Sequence, residues 1–168
     1  MANRIDDPPR FACDAMCGGL ARWLRALGYD ATFSASIEDG QLVAHARRDG
    51  RILVSSDGRI FARRLLRDGE VRSLFLPRGL RLLAQVRFVV ENLDLTVRDP
   101  RCMSCGGPLR TVAAAEVGDR VPARSLVWAT QFFECSACQR VFWNGTHWRR
   151  ISAIRTAAEG WARPSAAG

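Results

Sequence analysis

Two pairs of cysteines, Cys102-Met-Ser-Cys105 and Cys135-Ser-Ala-Cys138, constrain the fold of this chain more than any other feature. Two residues between paired cysteines let both thiolates reach one tetrahedral ion from a single tight turn. Gly106 and Gly107 permit the backbone that such a turn needs. The doubled motif predicts one structural zinc held by Cys102, Cys105, Cys135 and Cys138, in a small β ribbon over 100–151. Strands are expected at 112–120 and 127–134, between the two knuckles. A stretch this short buries little core, so metal binding supplies its folding free energy. Four thiolates leave no open coordination position, which predicts no chemistry at the ion. Free or redox-active cysteines are the competing reading. Cys13 and Cys17 stand apart, at the wrong spacing for a further Cys-x-x-Cys, and read as a core thiol and a helix residue.

Upstream of the ribbon the hydrophobic pattern alternates between short apolar runs and helical stripes. Residues 10–13 suit a buried strand. Leu20, Trp23, Leu24 and Leu27 then recur on one helical face, and Gly28 is placed to end that helix in the left-handed region. The same alternation follows through 29–34, a helix carrying Leu42, Val43 and Ala46, and a compact strand at 52–54. A helix with Ile60, Phe61, Leu65 and Leu66 comes next, then a strand at 71–76 and a helix with Leu80, Leu83, Val86 and Val90. Ser36 and Asp39 resemble a capping box for the second helix. Apolar strands between helices predict an α/β domain over 10–95, with a mostly parallel sheet covered on both faces. Residues 96–101 read as a linker, and 1–9 and 156–168 as disordered tails.

The net charge is +8, and every cation is arginine. A GC-rich genome accounts for the missing lysine. The sign of the charge favours a polyanionic partner, above all nucleic acid. No apolar run is long enough to span a membrane, and residues 1–10 contain no apolar core of a secretory signal, so a cytoplasmic location is expected. After the second knuckle, Val141-Phe-Trp-Asn-Gly-Thr-His-Trp-Arg-Arg150 interleaves aromatics with cations. That mix suits base stacking and phosphate contact, with His147, Trp148 and Arg149 as candidate RNA contacts. It suits a small aromatic core closing the ribbon equally well.

Three carboxylates fall at corresponding places in the strand–helix pattern. Asp14 ends the first strand, Asp57 follows the third, and Asp39 opens the helix after the second, with Glu38 beside it. In an open parallel sheet these positions share the edge at the carboxyl ends of the strands, where sites form. Clustered carboxylates suit a hard divalent cation, Mg²⁺ or Mn²⁺, which can activate water against a phosphodiester. Each aspartate also suits a helix cap or first turn.

Asp14-Ala-Met16, Leu20-Ala-Arg-Trp-Leu-Arg25, Gly28-Tyr-Asp30 and Gly50-Arg-Ile-Leu-Val-Ser-Ser-Asp57 resemble motifs of the Mut-7 C-terminal RNase domain family. The double knuckle and Asn144-Gly-Thr-His-Trp148 resemble its C-terminal signature. The resemblance runs from about Phe11 to Arg150. It implies a PIN-like ribonuclease fold with a C-terminal zinc ribbon and a metal-dependent site at Asp14, Asp39 and Asp57. It assigns phosphate binding to Arg22 and Arg25. The implied partner is RNA, whether tRNA or another structured RNA. This chain departs from the family pattern at Cys17, Gly19 and Ser56, where the family carries a large apolar residue and two arginines. A non-catalytic RNA-binding or protein-interaction module on the same scaffold is the alternative.

Overall fold

The structure is a computed structural model that describes residues 7–161, with the side chains of Thr146 and His147 outside the description. The expected tails at 1–6 and 162–168 lie outside the described residues. Four short strands, β1 (Phe11–Cys13), β2 (Ala31–Phe33), β3 (Ile52–Ser55) and β4 (Ser73–Phe75), form a fully parallel sheet in the order β2-β1-β3-β4. The helices between them are α1 (Gly18–Ala26), α2 (Asp39–Asp49) and α3 (Arg64–Arg67), and α4 (Leu82–Leu93) follows β4.

Alternate strand residues face opposite sides of the sheet. Phe11, Cys13, Ile52 and Val54 therefore pack with Leu20, Leu24 and Leu27 of α1 and with Val86, Val89 and Val90 of α4. Ala12 and Leu53 point the other way, into a second core with Leu42, Val43 and Ala46 of α2 and with Ile60, Leu66 and Val71. Both sheet faces are thus covered, which is why β1 and residues 52–54 of β3 are apolar. Helix α2 starts from Glu38, whose backbone N–H donates to the Gln41 side chain at 3.3 Å, so the start is set two residues after the predicted cap at Ser36.

Beyond the sheet domain a three-stranded antiparallel sheet is built from β5 (Leu109–Val112), β6 (Phe132–Cys135) and β7 (Val141–Trp143). Its strands are shorter than the sequence pattern predicts. Two small helices, α5 (Ala114–Val117) and α6 (Ala123–Trp128), occupy much of the interval between the knuckles. Val112, Val117, Val121 and Phe132 make a separate small core there. The last helix, α7 (Thr146–Glu159), returns to the first domain and buries Ile154 and Ala158 in the core beneath α1 and α4. Residues 156–159, expected to be disordered, are helical because Ala158 is fully buried.

Residues 96–101 are docked along the carboxyl end of α1. The Arg98 and Arg101 N–H groups donate to the carbonyls of Leu27 and Arg25 at 2.9 Å each. Arg155 of α7 donates to the Ala26 carbonyl and, at 2.9 Å, to that of Arg98. The carbonyls that a helix end leaves without partners are here satisfied from two other segments. Gly28 has φ of +99°, as its position predicts, and a side chain there would come within 2.7 Å of the Asp99 carbonyl.

Candidate active site and metal centre

The crevice at the sheet edge follows from strand order. The chain leaves β1 toward β2, then crosses to β3 on the other side, so the loops after β1 and β3 diverge. Asp14 follows β1 and Asp57 lies two residues beyond β3, on either side of that switch point. Ser55 joins them: its hydroxyl donates to Asp14 Oδ2 at 2.5 Å and accepts the Asp57 N–H at 3.0 Å. Asp14 is 7% exposed, and its Oδ1 accepts the Ala15 N–H, capping the single 3-10 turn at 15–17. Asp14 is thus both a cap and the partner of Ser55.

Asp57 is held by cations. Arg59 reaches both of its carboxylate oxygens, at 2.9 Å from Nη2 to Oδ2, and its backbone N–H donates to Oδ1 at 3.0 Å. Arg78, from the loop after β4, lies 3.8 Å away and donates through Nε to the Ser56 carbonyl. The Arg59 side chain, then its backbone N–H, keep the Asp57 carboxyl below the usual carboxylate range. Positive charge beside the last aspartate therefore comes from Arg59 and Arg78, although position 56 is serine. A cleft of about 470 Å³ opens here, lined by Met16, Ser56, Asp57, Arg59, Arg78 and Gln85 among others.

Asp39 stands apart. It is the first residue of α2, partly exposed, with Arg63 at 3.9 Å. Among the described residues, no group of three or more acidic or histidine side chains converges on one point. The structure thus links Asp14 to Asp57 and leaves Asp39 outside the pair, because α2 begins several residues beyond the end of β2. Ser55, Arg59 and Arg78, which contact these two aspartates, were not singled out by sequence reasoning. The adjacency of β1 and β3, which brings Ser55 to Asp14, has no local sequence signal.

The two remaining cysteines do not supply a thiolate at neutral pH. Burial, followed by the nearby Asp14 carboxylate, pushes the Cys17 thiol up to about 11, and burial raises Cys13 further.

The other four cysteines converge. Their sulfurs all lie within 4.8 Å of one another, with Cys102–Cys138 at 3.7 Å and Cys105–Cys135 at 3.5 Å. A tetrahedron with metal–sulfur bonds of about 2.3 Å has edges of about 3.8 Å, whereas a disulfide needs about 2.05 Å. The four therefore fit a metal ion and are not paired as disulfides. Burial pushes Cys105 up to about 12. At Cys135 burial also opposes ionisation, but the backbone N–H groups of Cys138 and Ala137 bring the thiol down to about 7.

Arg25 is the main correction among the predicted RNA contacts. It is 6% exposed and faces inward. Its Nε donates to the Ala31 carbonyl at 2.7 Å, and Nη1 donates to Met103 and Ser104 carbonyls inside the first knuckle, at 3.1 and 2.8 Å. It bolts the sheet domain to the cysteine centre and has no free face for phosphate. Arg101 donates to the Gly106 carbonyl and Arg140 to the Ser104 hydroxyl, so three guanidiniums surround this knuckle. Arg22 is exposed, with no hydrogen bond or ion pair among the described residues. Trp148 stacks on Phe133, with ring centroids 4.9 Å apart and planes 9° off parallel, so one of its faces is occupied. Arg149 is exposed, and the side chain of His147 lies outside the described residues.

No helix of the described residues is long and apolar enough to cross a membrane. Residues 9–155 match the Mut7-C RNAse domain. The chain is 35% identical over 101 residues to the exonuclease mut-7 homolog of Homo sapiens, an alignment covering 57% of this chain and 11% of that relative. No solved structure gives a significant match. The match over 9–155 takes in both the acidic sheet edge and the four-cysteine centre, and this chain belongs to the Mut7-C RNase domain family.

Proposed function

We propose that this protein is a ribonuclease that hydrolyses RNA phosphodiesters at the edge between β1 and β3. The observation that carries the reading is the Asp14–Ser55–Asp57 link beside a cleft flanked by Arg59 and Arg78, in a chain of an RNase domain family. Ser55 fixes the orientation of the Asp14 carboxylate. Arg59 and Arg78 supply the charge that draws a phosphate into the cleft. Asp14 and Asp57 suit a hard divalent cation as carboxylate donors, provided that Arg59 yields its place on Asp57. Mg²⁺ or Mn²⁺ held there supplies a lowered water pKa and neutralises charge on the phosphodiester. Asp39 and Glu38, at the start of α2, lie on a neighbouring part of the same edge.

The four-cysteine centre holds zinc in this reading, and its work is structural. Four thiolates around a dication carry a net charge of about −2, which Arg25, Arg101 and Arg140 offset. The ribbon extends the RNA-binding surface through its exposed arginines.

The test is Mn²⁺-dependent cleavage of RNA by the purified protein and by Asp14→Asn. The substitution is expected to lower the rate roughly 10²–10⁴-fold while RNA binding persists. Equal rates for the two proteins would place the chemistry elsewhere. RNA binding without cleavage in any divalent ion would leave the binding-module reading, which the occupied Asp57 carboxylate also favours.

A further inference from the structure

A second cavity, of about 510 Å³, lies where the ribbon meets the sheet domain. Its size falls in the range of small-molecule sites, roughly 300–1,000 Å³. Trp128, Trp143 and Trp148 contribute its aromatic walls, and Arg101 and Arg124 its charge; no carboxylate lines it. Trp128 is 51% exposed, so much of its ring is unused by the fold. Arg124 is exposed and makes no hydrogen bond or ion pair among the described residues. Ser125 is buried at the wall. Gly145 lets the Trp128 ring come close: a side chain at 145 would meet it at 3.1 Å.

We propose that this cavity binds a single unstacked nucleobase of RNA, with its phosphate on Arg124. An aromatic wall accepts the π-face of any base, and an unpaired guanidinium at the mouth accepts the anion attached to it. A nucleotide brings both features in one ligand, whereas an apolar peptide side chain brings only the first. The inference rests on RNA being the partner, but not on catalysis. It also gives the substrate a shape. Ala26, at the carboxyl end of α1, lines this cavity, while α1 starts near Asp14 at the acidic edge. The nine residues of α1 span about 13 Å, so the captured base sits a few nucleotides from the bond presented to Asp14. A base inside a duplex cannot enter, so the substrate is single-stranded at that position.

The experiment measures fluorescence anisotropy of a labelled single-stranded oligoadenylate, and of an RNA duplex of equal length, with the zinc-loaded protein. Trp128→Ala is expected to weaken single-strand binding about tenfold and leave duplex binding unchanged. Trp128→Phe retains most of the affinity because the stacking face is kept. Arg124→Gln, at an exposed position, weakens single-strand binding several-fold and lowers its salt dependence. The measurement is made without added Mg²⁺ or Mn²⁺, so that cleavage does not enter and this site is read separately from the nuclease reading. Unchanged single-strand affinity in both Trp128→Ala and Arg124→Gln overturns the proposal. An equal loss on duplex and single strand overturns it as well.

Discussion

At the scale of the residue, Asp57 shows how its neighbours set its charge. Arg59, by side chain and then backbone, holds the carboxyl below its usual range. The depressed value means that any stability from this pair is present above the unfolded aspartate value, about 3.9. It is lost as pH falls through the folded value. Arg59→Ala is expected to move the Asp57 titration up toward that ordinary value, read by carbon-detected NMR. The same substitution is expected to strengthen Mn²⁺ binding, read by paramagnetic broadening at the Asp14 and Asp57 signals. Arg25 is a second case. Arg25→Met leaves the carbonyls of Met103, Ser104 and Ala31 without their donor, and should cost about 3 kcal/mol in urea denaturation. The position of Arg25 beside the apolar stripe of α1 was visible in the sequence. Its partners were not: two of them lie in a knuckle far along the chain, and only the folded arrangement brings them to α1.

At the scale of the element, α1 joins the parts of the molecule. It starts one turn after Asp14, and its carboxyl end receives the 96–101 segment and Arg155 of α7. Gly28 is where that docking is tightest. Gly28→Ala adds a side chain in the left-handed region against a backbone carbonyl and should destabilise by about 2 kcal/mol or more, seen as a lower urea midpoint. The sheet domain was legible because each of its elements carries its own period and stop signal, from the Leu20–Leu27 stripe to Gly50 in the left-handed region. The interval between the knuckles was less so. Its segments are short and their small core is shared, so propensity ran the first strand over α5 and began the second at the end of α6, ahead of β6. Helix α7 was missed for a related reason: the Ala-rich stretch from 156, with Gly and Pro, reads as a fraying tail until Ile154 and Ala158 are seen to fill the core.

At the scale of the whole molecule, the cysteine centre is tied to α1, the helix that begins one turn after Asp14. The four thiols converge on one point, and Arg25 ties that point to α1. Removing the metal with a chelator should therefore lower the melting temperature of the whole chain, with the loss of ribbon signals accompanied by shifts along α1 in NMR spectra. A melting temperature unchanged by chelation would mean that the centre carries no folding free energy. The proposed chemistry lies at the other end of α1, in one site to which Asp14 and Asp57 both belong. Residues that act as a unit are not additive when removed. The most direct measurement is the RNA cleavage rate of Asp14→Asn, Asp57→Asn and the double variant, each zinc-loaded and in saturating Mn²⁺. Each single substitution is expected to remove most of the rate, with the double variant no slower than the slower single one. Single variants that cleave at the full rate, or losses that multiply in the double variant, would contradict this expectation.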